Sequence, residues 1–327
     1  MNPELFLGPA TAAVSAAATL CEAVARDATG PGAETKADRS PVTVADYGAQ
    51  AVVAHHLRER WPEIPLVGEE HAGALRGKKG DSLRARVVTH VQRILPGLGE
   101  ANILDAIDAG SHQGGGREPF WTLDPIDGTK GFLRGDQYAV ALALIENGRV
   151  RLGVLGCPRL PHPSNGTGCL FYAAEGGPTR EQDLAGGCER EVRVSDVQDT
   201  AQASFCESVE SGHTAQGRAA AIASRLGVTT EPYRIDSQAK YAAIARGDAT
   251  IYLRLPTQSD YEEKIWDHAA GAFLVECAGG TVSDTRGHPL DFALGRTLRN
   301  NKGIIATNGE IHDRVVDAVK AVLYPDE

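Results

Sequence analysis

Blocks of apolar residues, cut at intervals by glycine, proline and charge, set out the elements of this chain. Residues 3–27 hold an alanine-rich run broken by Glu4 and Glu22, and predict a first helix ending near Gly30-Pro31-Gly32. Ser40-Pro41-Val42-Thr43 reads as a short strand or turn. Asp46 then caps or opens a helix to about Arg60, where Trp61-Pro62 stops it. A short apolar strand at 64–67 leads into Gly68-Glu69-Glu70, and 120–123 predicts a buried strand. Between them, 75–116 reads as an excursion, with helices near 82–95 and 102–106 and a mobile loop at 110–116. Two β-type runs, 138–146 and 149–157, flank Asn147-Gly148, a strong hairpin signal.

A division rich in proline follows at 158–168. Beyond it the pattern predicts strands at 169–174, 192–195, 203–208 and 249–254, and helices at 215–226, 240–246 and 265–278, the last ending at Gly279-Gly280. A chain of 327 residues is longer than one hydrophobic core usually spans. The expectation is therefore two closely packed lobes, an N-terminal α+β lobe over 1–160 and a C-terminal α/β lobe over 161–327.

Composition changes this picture little. A hydrophobic fraction of 42% and a charged fraction of 23% are those of an ordinary globular protein. The net charge of −10 argues against a broad nucleic-acid or anionic-membrane surface. It leaves a small anionic substrate open, because a bound metal and a few cations reverse the local field. The six cysteines form no C-x-x-C pair and read as buried free thiols of a reducing compartment, not a zinc site. The N-terminal run carries acid where a leader would carry Lys and Arg, and no stretch reads as long and apolar enough to cross a membrane. These features predict a cytoplasmic protein, with organelle targeting left open, and no nucleic-acid or membrane partner; a monomer is the expectation, though no sequence feature fixes the oligomeric state.

The chemistry concentrates in the run from Trp121 to Phe132. Asp124, Asp127 and Thr129 fall within six residues, with Pro125 and Gly128 shaping the backbone between them. Two carboxylates three apart across a Pro-Gly turn can point at one spot suited to a hard divalent cation. The Gly128 and Thr129 amides open a helix start able to receive an anion. The same residues also fit an ordinary turn, with each carboxylate bonding its own backbone. Other acids follow apolar runs or open helices: Asp46, Glu69-Glu70 and Asp267. Singly, Asp46 and Asp267 read as helix caps and Glu70 as a solvated charge. Converging on a partly buried centre, such acids would repel one another or bind protons unless cations joined them.

Asp124-Pro125-Ile126-Asp127-Gly128-Thr129 resembles the first signature of the lithium-sensitive, magnesium-dependent phosphatases of the inositol monophosphatase superfamily. Trp266-Asp267-His268-Ala269-Ala270-Gly271, followed by Ala278-Gly279-Gly280, resembles the second. Gly68-Glu69-Glu70 stands where that superfamily places an upstream metal acid. Four further stretches, 40–46, 207–213, 236–241 and 252–256, are similar to its 3′(2′),5′-bisphosphate nucleotidase branch. The least similar part is 75–116.

This resemblance implies a layered αβαβα sandwich of two packed lobes. It also implies Mg²⁺-dependent hydrolysis of 3′-phosphoadenosine 5′-phosphate to AMP and phosphate, and possible action on 3′-phosphoadenylyl sulfate. Glu69, Asp124 and the Ile126 carbonyl are implied to hold one Mg²⁺, and Asp124, Asp127 and Asp267 a second. A third, weaker ion is implied near Glu69 and Asp46. Asp46 and Thr129, with Glu69, are the implied catalytic residues, the first two orienting and deprotonating the attacking water. Gly128, Thr129, His213, Ser237, Lys240 and Arg254 are the implied substrate contacts, and Li⁺ and Na⁺ the implied inhibitors. Lys130 and Arg134 are expected only to shape the field, and Trp266 to be core. An inositol mono- or polyphosphate phosphatase and a non-catalytic nucleotide or metal sensor stand as alternatives.

Overall fold

The computed structural model describes residues 2–27, 30, 32–36, 41–164, 166–209, 216–258 and 260–326. Helix α1 (Glu4–Ala25) is followed by a two-residue antiparallel ribbon, β1 (Glu34–Thr35) with β2 (Pro41–Val42), and by α2 (Val44–Arg60). Thr43 caps α2, its hydroxyl accepting from the Ala45 amide at 3.1 Å. Asp46 sits three residues further on and accepts from the Thr43 amide at 2.7 Å. The pair forms a reciprocal capping box, so Asp46 opens the helix from inside it and is not its cap.

Strand β3 (Leu66–Gly68) and helices α3 (Asp81–Ile94) and α4 (Glu100–Asp108) precede β4 (Phe120–Asp127) and the short α5 (Thr129–Arg134). Then come β5 (Ala139–Glu146), β6 (Arg149–Pro161), β7 (Thr167–Ala174), β8 (Arg180–Asp183) and β9 (Glu189–Glu191). Among the described residues, β3 to β9 form one seven-stranded sheet in chain order, antiparallel except for the β3–β4 pair. Asn147 and Gly148 make the β5–β6 turn at φ 54° and 71°, the conformation that the dipeptide predicted.

Successive antiparallel pairings carry this sheet through Glu191, past the expected division at 160/161, so the strand anticipated at 169–174 belongs to the first sheet. Residues 192–195, expected as a strand, are irregular: the Val192 amide donates to Thr179 and that of Val194 to Ala278.

The second sheet has the order β11-β10-β12-β14-β13, from β10 (Phe205–Glu207), β11 (Tyr233–Arg234), β12 (Ile251–Arg254), β13 (Thr281–Ser283) and β14 (Ile304–Thr307). Helices α6 (Gln216–Leu226), α7 (Ala239–Ala245), α8 (Ala269–Cys277) and α9 (His312–Leu323) complete the chain. The predicted single helix over 265–278 is split. A tight turn at Ile265–Asp267 comes first, and the helix starts only at Ala269.

Side-chain alternation in β5 shows how the layers assemble. Val140, Leu142 and Leu144 face a core shared with α1 and α2. Ala139, Ala141 and Ala143 face the other way, toward α7 and α8. Small residues there admit α8 close to the sheet: a Cβ on Gly153 would lie 3.0 Å from the Ala270 carbonyl. α7 and α8 in turn cover one face of the second sheet, whose outer face is closed by α6 and α9. The stack is therefore helix, sheet, helix, sheet, helix. At 22 residues and a mean hydropathy of 1.3, α1 is after all long and apolar enough to span a membrane by length and composition. Here its apolar face packs on α2 and the sheet, while Glu22 accepts from the Tyr138 hydroxyl at 2.9 Å.

Candidate active site

Strand pairing delivers the acids. β3 runs parallel to β4 with Gly68 opposite Leu123, so Glu69 and Glu70 leave β3 beside Asp124. The expected Pro-Gly turn at 124–128 is instead a bulged continuation of β4. Asp124 pairs with Ala141 and Asp127 with Ala139, the register shifting between them. Such a bulge re-aims side chains without ending the sheet. Asp124 still makes the local bond of an ordinary turn, accepting from the Ile126 amide at 3.0 Å. Gly128, at φ 87°, turns the chain into α5 and places Thr129 at its first position.

The Thr129 hydroxyl lies 3.4 Å from the Asp46 Oδ1 and 3.2 Å from the Ile126 carbonyl. Asp46 is fully buried, and its Oδ2 also accepts from the Thr43 hydroxyl at 2.6 Å. The turn Ile265–Asp267 packs against β4 and brings Asp267 to the same centre from the second half of the chain.

These carboxylates repel one another. Burial first, then Glu69, Asp127 and Asp267, push Asp124 well above the usual carboxylate range. Burial likewise raises Asp267, with Arg254 opposing and Asp127 and Glu69 adding to the rise. Asp46 is pushed up to about 7, mainly by burial and against its Thr43 bond. Glu70, expected to be a solvated charge, is buried and pushed up to about 8 by burial and by Glu69. Lys36 donates to Glu69 at 2.6 Å and pairs with Glu70 as well. One ammonium does not neutralise this set. Crowded all-oxygen donors, several of them buried, are what a hard divalent cation requires, so the residues present fit such ions.

The other implied contacts lie across this centre on the second half of the chain. Ser237 stands at φ 67°, unusual for a residue with a side chain, and its hydroxyl accepts from the Ala239 amide at 3.2 Å. The Gln238 amide donates to Asp127 at 2.5 Å. The Gln238 side chain donates to the Trp266 carbonyl at 2.8 Å and accepts from the Gly271 amide at 3.0 Å, tying the two signature segments together. Lys240, which alone reads as a solvated helix charge, is 7% exposed, with its ammonium 5.3 Å from the centre of the Tyr252 ring. Burial lowers it, and Asp127 partly restores it.

Arg254 donates to Glu263 at 2.7 Å; His268 stands 3.2 Å from the same oxygen and 2.8 Å from the Tyr241 hydroxyl. Burial would lower the Arg254 guanidinium, but Glu263, Tyr252 and Asp267 hold it well up. Burial would raise Glu263, yet the His268 bond and the Arg254 charge bring it down to about 2.

Asp46, Glu69, Asp124, Ile126, Asp127, Gly128, Thr129, Ser237, Lys240, Arg254 and Asp267 are thus gathered round one centre. His213 lies outside the described residues, as do Ser40 and the 210–213 part of a similar stretch. Arg134 does more than shape the field, donating to Asp236 at 2.5 Å, while Asp236 accepts from Ser208 and Val209. Sequence reasoning missed Lys36, Gln50, Gln238, Glu263 and Arg296. Only Gln238 carried a usable signal, sitting between two singled-out residues. Lys36, Gln50 and Arg296 reach the site through pairings distant in sequence, and Glu263 through Arg254 and His268.

The sequence model described as the inositol monophosphatase family matches residues 4–324. A protein of Schizosaccharomyces pombe named 3′(2′),5′-bisphosphate nucleotidase is 46% identical to this chain, covering 97% of it and 95% of its own length. One of the same name from Oryza sativa is 44% identical over 96% and 93%. Among solved structures, the extragenic suppressor protein suhB of Bartonella henselae aligns with a TM-score of 0.67 at 20% identity, covering 96% of this chain and 97% of that one. An inositol monophosphatase of Anabaena aligns with a TM-score of 0.62 at 23% identity, covering 98% of each.

Proposed function

The chain belongs to the inositol monophosphatase family, and from that premise we infer that it is a metal-dependent 3′(2′),5′-bisphosphate nucleotidase, a phosphoric monoester hydrolase that converts 3′-phosphoadenosine 5′-phosphate to AMP and phosphate. The family uses divalent metal ions; here Glu69, Asp124, Asp127, Asp267 and the Ile126 carbonyl would hold two or three Mg²⁺. When bound, such ions acidify water and offset charge on phosphoryl oxygens.

The chain's own share is proton handling and placement. Asp46, fixed by both Thr43 bonds, accepts from the Thr129 hydroxyl, whose oxygen then faces the attacking water as an acceptor. The water's proton passes to Thr129 Oγ1 as the hydroxyl proton moves to Asp46 Oδ1. A P–O bond forms to the water oxygen as the bond to the ribose 3′-oxygen breaks; that oxygen takes a proton from solvent water, and the proton on Asp46 returns to solvent, so the step balances as phosphomonoester plus water giving alcohol plus phosphate. Thr129 and Gly128 also contact the phosphate. Lys240, Arg254 and Ser237, with His213, receive the remainder of the nucleotide, the two cations taking its 5′-phosphate.

The observation that carries the reading is the buried Lys240 and part-buried Arg254 set across the acid centre. A simple inositol monophosphate has no second phosphate for them. By kinship, Li⁺ and Na⁺ inhibit; the protein acts as a monomer, in the cytoplasm, on a small soluble substrate. Mg²⁺-dependent phosphate release is measured on 3′-phosphoadenosine 5′-phosphate, inositol 1-phosphate and inositol 1,4-bisphosphate at equal concentration, with graded LiCl. Nucleotide preference and loss of turnover in millimolar Li⁺ are expected. Preference for an inositol phosphate would discard the nucleotide pocket, and no release from any would discard the enzyme.

A further inference from the structure

Arg296 reaches both halves of the acid centre and, among the described residues, donates to no carboxylate. Its guanidinium donates to the carbonyls of Gly68 at 2.6 Å, His112 at 2.9 Å and Gly110 at 3.2 Å, and lies 4.6 Å from the centre of the Trp266 ring. Its own carbonyl accepts from the Ile265 amide at 3.2 Å, and the next residue, Thr297, bridges to Lys264. The backbone of Arg296 is therefore sewn to the segment that carries Asp267, and its side chain to the peptide group preceding Glu69.

On the far side of Glu69, Gln50 grips the next residue, accepting from the Glu70 amide at 3.0 Å and donating to the Glu70 carbonyl at 2.6 Å. Glu69 is thus held at both of its flanking peptides, one of them from the second half of the chain. The 110–116 loop, expected to be mobile, is bonded into the same arrangement: its Gly110 carbonyl accepts from the Gly68 amide at 2.9 Å and its Gly116 amide donates to Ala293.

We propose that Arg296 is a positioning residue that sets Glu69, from the first sheet, against Asp267, from the second half, and thereby sets the affinity of the site for divalent cations. The proposal rests on the metal-dependent reading above. Burial lowers the guanidinium and the Glu69 charge opposes this, so the side chain also eases the crowding of acids there. The contact is with three peptide oxygens and an indole face at once, for which a forked planar cation is better suited than an ammonium.

The test is calorimetric titration of the full-length, EDTA-stripped protein with Mg²⁺, for the wild type, Arg296→Ala, Arg296→Lys and the exposed control Arg299→Ala. Beside it stand the Mg²⁺ half-saturation of phosphate release and the nucleotide KM at saturating Mg²⁺. Arg296→Ala is expected to weaken Mg²⁺ binding about 10–100-fold, the range for groups that orient metal ligands. Nucleotide KM at saturating Mg²⁺ should stay within about threefold, Arg296→Lys should recover part of the affinity, and Arg299→Ala should match the wild type. A folded Arg296→Ala or Arg296→Lys protein that binds Mg²⁺ as the wild type does overturns the clamp. If the Ala variant does not fold, the Lys variant alone decides. A wild type that binds Mg²⁺ tightly and loses it in Arg296→Ala, yet releases no phosphate from the nucleotide, keeps the clamp and discards the nucleotidase reading.

Discussion

The two sides of this site bury charge in opposite ways. On the side of the first sheet, Asp46, Glu70 and Asp124 are buried among other acids, with Lys36 paired to Glu69 and Glu70, and their protonation ranges are pushed upward. Across from them, Arg254, Glu263, His268 and Tyr241 form a continuous chain of contacts in which Glu263 is pulled down and Arg254 held up. Folding alone completes the second arrangement. The first is completed only by something the fold does not supply, which is why a cluster costly in the bare protein is a good receiver of hard cations. Binding and catalysis divide along that line: the self-satisfied side offers a rigid cationic wall, the frustrated side an appetite for metal and a base.

The sharpest way to break this division is to remove the base and leave its shape. Asp46→Asn keeps the helix start but cannot take the Thr129 proton. A kcat loss of about 10³-fold is expected, with nucleotide affinity changed by no more than a few-fold. Single-turnover phosphate release and equilibrium nucleotide binding measure the two separately. Turnover surviving in Asp46→Asn would move the base elsewhere.

Opposite pH flanks come next. Asp46 and Glu70 have folded pKa values raised to about 7 and about 8, so their contribution to the stability of metal-free protein is present in acid and lost as pH rises through those values. Glu263 is depressed to about 2; its contribution is present above its unfolded value and lost as pH falls toward 2. That contribution is on the order of 3 kcal/mol, from roughly 1.4 kcal/mol per unit. Tm of EDTA-treated protein should therefore fall on both flanks. Mg²⁺ should lift the alkaline flank, and Glu263→Gln should flatten the acid one. A flat profile in the stripped protein would contradict the contrast.

A smaller effect tests the cationic wall itself. Lys240→Ala should raise nucleotide KM by about 10–100-fold, the scale of a lost charged hydrogen bond. It should leave Mg²⁺ half-saturation and hydrolysis of substrates lacking a 5′-phosphate near wild type. Equal losses on inositol 1-phosphate would show Lys240 to be packing rather than recognition.

How far the sequence foretold this depends on the range of the interaction. The β5–β6 hairpin and the order of acids were legible because Asn147-Gly148 and the 124–129 run act locally. The bulge that keeps Asp127 in β4 was not, because it is set by the register against Ala139 and Ala141. The extension of the first sheet to Glu191 was hidden for the same reason: three prolines suggest a break, but Pro161 still pairs with Thr167 in the ladder. Lys240 looked exposed because burial of a helix charge is decided by the neighbouring sheet. Arg296, 228 residues from Gly68, left no local signal at all.

Gly128 is where the two sides touch, and the effect of changing it is the smallest and the most diagnostic. A Cβ there would come 3.0 Å from that of Ser237, and the backbone at φ 87° disfavours any side chain. Gly128→Ala should therefore cost about 1–2 kcal/mol in stability, chiefly from the left-handed conformation. The contact also pushes Ser237, itself left-handed, and with it the Gln238 amide that holds Asp127. Unlike Lys240→Ala, which should touch nucleotide binding alone, this change should weaken Mg²⁺ and nucleotide together, each by a few-fold. Differential scanning calorimetry with paired titrations separates the outcomes. A loss of stability with both affinities intact would mean that the two sides meet at Gly128 without being coupled there.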